Sequence, residues 1–235
     1  MKWYDVCNKI SLLLHALASA AGYFLIEAIS RHSFTEAWEF MTGRPLVFAY
    51  NAALIFTTSL IVYLFRRRCF IRVLLCMFWL ILGVINGVIL AARVTPFTGP
   101  DLHLLTDGMA MLEKYLPKWG VVVALIVLGF FALTLLTLIV KGPKFKGKMK
   151  YRWNIPLVLA GALAFAGITQ LALEKRVLSN YFGNIAFAYE DYGYPYCLAT
   201  TVFNTGIGCP RDYSERTMED IIKSEETLSE TGEQR

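Results

Sequence analysis

Runs of about twenty predominantly apolar residues, broken by clusters of Lys, Arg, Pro and Gly, recur along this chain and constrain its fold more than any other feature. Crossing about 30 Å of hydrocarbon takes roughly 20 apolar residues in a helix. Five runs meet that length, near Ile10 to Ile29, Leu46 to Phe65, Cys69 to Ala92, Trp119 to Val140 and Ile155 to Leu173. In lipid the backbone must satisfy its own hydrogen bonds, so runs of this length are read as helices. Composition agrees: 56% of the 235 residues are hydrophobic and only 17% charged, too few charges for an ordinary soluble globule. The expected architecture is all-α and polytopic. Residues 1–173 form a five-helix transmembrane domain, 174–210 an external aromatic connector, and 211–235 an acidic linker.

Charge placement sets the expected orientation. Lys2, Lys9, Arg66, Arg67, Arg68, Arg72, Lys141, Lys144, Lys146, Lys148, Lys150 and Arg152 fall on one side. Only Arg31, Arg44, Arg93, Lys114 and Lys118 lie in the two loops opposite. By the positive-inside rule the N-terminus is cytoplasmic and the C-terminus extracellular. The net charge of +5 is then a topology signal and a contact for anionic lipid, and no nucleic-acid partner follows from it. A cleaved signal peptide is the competing reading of the first run, but its apolar stretch continues through Tyr23, Phe24, Leu25 and Ile26.

Both external loops carry helix-start signals. Ser33-Phe34-Thr35-Glu36 has the form of a capping box, and Gly43 before Pro45 marks a stop. Phe34, Ala37, Trp38 and Met41 share one face of that helix, which suits the membrane interface. In the second loop Thr98 is a cap, Pro100 lies in the first turn, and Asp101 puts a carboxylate near the helix start. Leu102, Leu105, Met109, Leu112 and Leu116 then form an apolar stripe. The two helices either cover the bundle or form a lipid-handling platform.

Polar side chains in or near the runs are few: His15, Glu27, Asn51, Asn86 and Gln170. Glu27 lies close enough to the outer end of its run to reach water, and the amides suit hydrogen bonds between helices. Structural use outweighs transport, because a conduction path needs several carboxylates at mid-membrane depth. Zincin, Cys-x-x-Cys, Walker and Gly-x-Ser-x-Gly motifs are all missing, and His15, His32 and His103 are scattered. Of the cysteines, Cys7 and Cys69 fall on the cytoplasmic side, Cys76 within a run, and Cys197 and Cys209 outside. A Cys197–Cys209 disulfide and two free thiols are both open readings. No catalytic or metal-ligating residue is assigned in this chain.

The connector includes Tyr181-Phe182-Gly183-Asn184-Ile185-Ala186-Phe187-Ala188-Tyr189, then Asp191-Tyr192-Gly193-Tyr194-Pro195-Tyr196-Cys197 and Asn204-Thr205-Gly206-Ile207. With Arg93-Val94-Thr95-Pro96-Phe97-Thr98, these segments resemble the lipoteichoic acid synthase family of Gram-positive bacteria. The resemblance spans about Leu46 to Ser214. It implies the membrane portion of a phosphoglycerol transferase that takes glycerol phosphate from phosphatidylglycerol at the outer face of the cell membrane, in teichoic acid synthesis. Catalysis in that family belongs to an external sulfatase-like domain with a threonine nucleophile and manganese or another divalent metal. That domain is expected after Arg235, in cis or trans, so the 235 residues alone are expected to be inactive. Arg93 becomes a candidate lipid-headgroup contact, beside the plainer reading of a snorkelling arginine. Ala186 and Ala188 match an Ala-x-Ala signal-peptidase site with cleavage before Tyr189, or a chance pairing of small residues. From a different functional class, a stand-alone membrane sensor or regulatory subunit with an external partner also fits.

Overall fold

The structure is a computed structural model that describes residues 11–103, 118–141 and 151–203. The described residues up to Phe203 belong to one compact unit. They form helices α1 (Ser11–Ser30), α2 (Phe34–Gly43), α3 (Pro45–Ser59), α4 (Arg68–Ala92), α5 (Gly99–His103), α6 (Lys118–Lys141), α7 (Tyr151–Glu174), α8 (Ile185–Tyr192) and α9 (Tyr194–Phe203). A 3₁₀ turn, Leu60–Leu64, extends α3. No strand occurs among the described residues.

Among the described residues, four helical stretches are long and apolar enough to cross a membrane: Leu12–Ser30, Pro45–Leu64, Arg68–Ala92 and Tyr151–Glu174. The run expected over 119–140 is helical as α6, with Gly129–Lys141 an apolar stretch within it. Among the described residues every regular element is helical, and by length and composition the apolar helices mark a membrane protein. Lys2, Lys9, Cys7, Cys209, Lys114, the basic residues Lys144 to Lys150, the stripe residues Leu105 to Leu116 and the linker 211–235 lie outside the described residues.

The second run departs from a uniform α-helix at its end. Thr57, Thr58 and Ser59 turn their hydroxyls back onto the carbonyls of Ala53 and Ile55, at 2.8–2.9 Å. Such back-bonding competes with the helical ladder, and the chain tightens into the 3₁₀ turn directly after it. The last long helix starts at Tyr151 rather than Ile155, with Pro156 inside it.

Glycines set the contact between α1 and α4. A Cβ on Gly87 would lie 2.8 Å from the Ile29 carbonyl oxygen, and one on Gly83 would lie 3.1 Å from Ile26. Glycine therefore lets α4 lie directly against α1. On the far side, α7 meets the α3 extension through Asn154 Nδ2 donating to Tyr63 O at 2.8 Å, and α3 itself through Tyr50 and Thr169 hydroxyls 2.9 Å apart. No residue of α7 is buried, so most of its apolar surface faces outward.

The α2 cap forms as the sequence suggests, with Ser33 Oγ accepting the Glu36 amide at 3.2 Å and the helix ending at Gly43. Ala37 and Phe40 are buried, while Phe34 and Trp38 stand 68% and 58% exposed. Phe40 packs into the apolar core with the Arg31 guanidinium over its ring, 4.4 Å from the centroid.

Candidate functional site

The site begins with a problem of backbone chemistry. Helices α8 and α9 change direction at the single residue Gly193, leaving the last carbonyls of one and the first amides of the other without helical partners. Polar side chains from the ends of α1, α2 and α3 supply those partners. Arg31 Nη2 donates to Glu190 O at 3.2 Å, Arg44 Nη1 to Asp191 O at 3.0 Å, and Asn51 Nδ2 to Tyr192 O at 2.8 Å. Across the corner, the Tyr194 amide donates to Glu27 Oε1 at 3.0 Å and the Tyr196 amide to Asn51 Oδ1 at 2.9 Å. Pro195 between them has no amide to place. Two cations thus meet a helix C-terminus and an anion meets a helix N-terminus, each of the sign favoured by the helix dipole.

Glu27 and Asn51 are both fully buried. Glu27, expected from the sequence to reach water, does not. Its carboxylate pairs with Arg31 Nε at 3.0 Å and uses its other oxygen for Tyr194. Arg31 is held further between the rings of Phe40 and Tyr189. The Arg44–Asp191 pair, at 2.7 Å, is about half exposed and contributes little beyond its backbone bond.

Asn86 plays the corresponding part for the loop that follows α4. Fully buried on α4, it donates to Ser30 Oγ at 3.0 Å and accepts the Phe97 amide at 2.8 Å. Arg93 then organises the loop from within. It donates to the carbonyls of Thr95 and Pro96 at 3.1 Å and pairs with Asp101 at 2.6 Å. The guanidinium proposed for a lipid headgroup is therefore already engaged with its own loop. Gly99 brings α5 onto α9: its amide donates to Thr201 Oγ1 at 2.9 Å, and a Cβ there would collide with the Thr201 carbonyl.

Burial disfavours the charged form of Asp101, but bonds from Arg93 and from the Thr98 hydroxyl and amide outweigh it and hold the carboxyl below its ordinary value of 3.8. A lowered folded value means a stabilising contribution that is present above the ordinary value and lost as pH falls through the lowered one. The thermal midpoint of the wild type should therefore exceed that of Asp101→Asn near neutral pH. The gap should close on acidification below about pH 4. A gap independent of pH would show that the charge of Asp101 has no part in holding the loop.

The remaining sequence candidates are placed as follows. His15, buried on α1, accepts from Arg72 Nε at 2.8 Å through Nε2, which leaves Nδ1 to donate to Tyr63 Oη at 2.8 Å. Gln170 is exposed on α7. His32 has a positive φ of 55° and closes α1, its amide bonding to Ile29 O and the next amide to Ala28 O. Ala186 and Ala188 are buried within α8, so cleavage after Ala188 would require that helix to unwind. Among the described residues, no three His, Cys, Asp or Glu side chains gather in a way that could hold a metal ion.

Cys197 is a free thiol, 2% exposed, and its suggested partner Cys209 lies outside the described residues. Burial, and then the charges of Glu27 and Asp191, push the thiol above its ordinary value. Thiolate is the reactive form, so a variant retaining Cys197 as its sole cysteine should resist maleimide while folded and label fully in SDS. Rapid labelling of the native protein would mean that the corner does not stay seated.

Sequence reasoning missed Arg31, Arg44 and Gly193 as parts of one site. Gly193 before Pro195 was the available signal, since proline favours the first turn of a helix and glycine favours a sharp change of direction. Compared with protein-family models, characterised proteins and solved structures, the chain matches none of them.

Proposed function

We propose that this chain is the membrane-anchoring portion of a lipoteichoic acid synthase-like phosphoglycerol transferase. It crosses the cell membrane five times, with its N-terminus cytoplasmic and its C-terminus extracellular, and it holds an external sulfatase-like catalytic domain, in cis or trans, near phosphatidylglycerol. One observation supports this reading above the others. Two of the segments that carry the resemblance, 93–98 and 191–197, are received by buried Glu27, Asn51 and Asn86 of the membrane helices. Anchors of this kind fix where a chain leaves the bilayer, and a domain that follows would inherit that position. The described residues contribute orientation and no chemical step. Manganese or another divalent metal would belong to the catalytic domain and supply Lewis-acid chemistry there.

The test is release of diacylglycerol from phosphatidylglycerol in manganese-containing proteoliposomes, with the 235-residue chain alone and with a sulfatase-like catalytic domain joined to it. Turnover is expected only in the second sample. Silence of both would overturn the reading in favour of the sensor or regulatory alternative. Turnover by the short chain would show that catalysis lies within these residues.

A further inference from the structure

Near the α2 end of the bundle, α1, α2 and α3 leave a groove of about 400 Å³ between them. Ala20, Ala21 and Phe24 of α1, Trp38 and Met41 of α2, and Phe48 of α3 line it, and no polar atom does. We propose that one acyl chain of a membrane phospholipid occupies this groove, in the leaflet on the α2 side. The inference rests on the membrane placement alone and stands whether or not the transferase assignment holds.

Four observations favour a lipid chain over other occupants. Ala20, Ala21 and Phe24 lie within the stretch Leu12–Ser30 and Phe48 within Pro45–Leu64, both apolar enough to cross a membrane, so the groove lies at hydrocarbon depth. Small side chains open it on α1, where Ala20 and Ala21 line it and Ala21 is exposed. A purely apolar lining offers water none of the two to four partners that it needs. At the α2 edge of the groove, Trp38 stands 58% exposed with its ring nearly perpendicular to that of Phe24, 6.5 Å away. Tryptophan of this kind sits at the headgroup level, with its apolar edge toward the chains below.

Hydrophobicity alone does not hold a lipid here, because a leucine face and an acyl chain are equally apolar. Shape does. An unfilled groove forfeits dispersion contacts along its walls, and a flexible polymethylene chain is the bilayer component that can enter from the side and restore them. Open faces such as Leu159 and Leu163 of α7, 57% and 73% exposed, offer a lipid contact on one side only. The groove offers contact from three helices and should retain its lipid longer.

The experiment places the full chain in nanodiscs of palmitoyl-oleoyl phosphatidylcholine and phosphatidylglycerol containing a small fraction of lipid with a diazirine in its acyl chain. Crosslinks are then mapped by peptide mass spectrometry. Labelling of the α1–α2 peptides should exceed that of α7 by about tenfold, equivalent to about 1.4 kcal/mol. Ala21→Phe, at an exposed position, should bring it down to the α7 level while α7 labelling stays constant. Ala20→Leu fills the groove from the neighbouring position and should act alike, which guards against a folding defect in one variant. Labelling no greater than on α7, or unchanged in both filled variants, would overturn the proposal. Groove peptides protected from the label in discs that hold two copies of the chain would also overturn it, by naming a second copy as the occupant.

Discussion

Gly193→Ala should destabilise the protein by about 3 kcal/mol or more, whereas Gly183→Ala should change little. Gly193 has φ 78° and ψ 160°, a region that residues with a side chain almost never enter. Relaxing φ is not an escape, because the surrounding atoms leave no room for the added carbon. A Cβ there would overlap the Tyr23 hydroxyl and stand 3.1 Å from both Glu27 Oε1 and Asn51 Nδ2. Those two side chains hold the amides of Tyr194 and Tyr196, so accommodating the methyl group displaces the bonds that seat α9. At Gly183 nothing lies within 4 Å and no positive φ is required. Thermal unfolding of the two variants in the same detergent, with limited proteolysis of residues 185–203, measures the difference. Equal midpoints for both alanine variants would show that the corner is not built around Gly193.

Glu27→Ala should be comparably damaging, through charge rather than shape. Removing one partner of a buried ion pair leaves the other uncompensated, which costs about 3–5 kcal/mol. The Arg31 side chain is 13% exposed and its cation has little water to turn to. The Tyr194 amide would lose its acceptor as well. Glu27→Gln keeps an acceptor for that amide but loses the charge, so it should fall between wild type and Glu27→Ala. The double variant Glu27→Leu with Arg31→Leu should recover part of the loss suffered by Glu27→Leu alone, because an apolar pair of matched volume often replaces a buried salt bridge at small cost. Recovery should be incomplete, since Arg31 also serves the Glu190 carbonyl. A cycle of unfolding midpoints over the four proteins gives the coupling. Independent, additive effects would sink the account of Glu27 and Arg31 as a buried pair.

Both predictions concern residues whose importance depends on distant sequence. Glu27 and Tyr194 are 167 positions apart, and Asn51 and Tyr196 are 145. Glu27, Asn51 and Asn86 were legible as polar groups in apolar surroundings, and intramembrane polar residues do single themselves out. Their partners were not legible. Asn51 serves a carbonyl and an amide of the α8–α9 corner as well as Val47 of its own helix, rather than a neighbouring long helix. Arg31 and Arg44 entered the reading only as charges to be counted for orientation. Counting cannot show that a guanidinium closes a helix end.

Local rules did determine much of this protein. Apolar runs of membrane-spanning length dictate helices, because hydrocarbon offers the backbone no other partner. Ser33 with Glu36, and Gly43 before Pro45, bound α2 where a cap and a stop belong. Each of these signals is confined to a few neighbouring residues or to a periodic pattern, so the sequence alone is enough to read it. The tertiary structure decided what lies on the polar groups: which backbone atoms reach Glu27, Asn51 and Asn86, why Glu27 is sealed from water, and why Arg93 is spent on its own loop. It also decided the groove beside Ala21, a space that exists only where three helices fail to meet. Those outcomes follow from the long-range docking of two short helices onto the bundle, and the sequence specifies them only through contacts that no local pattern reveals.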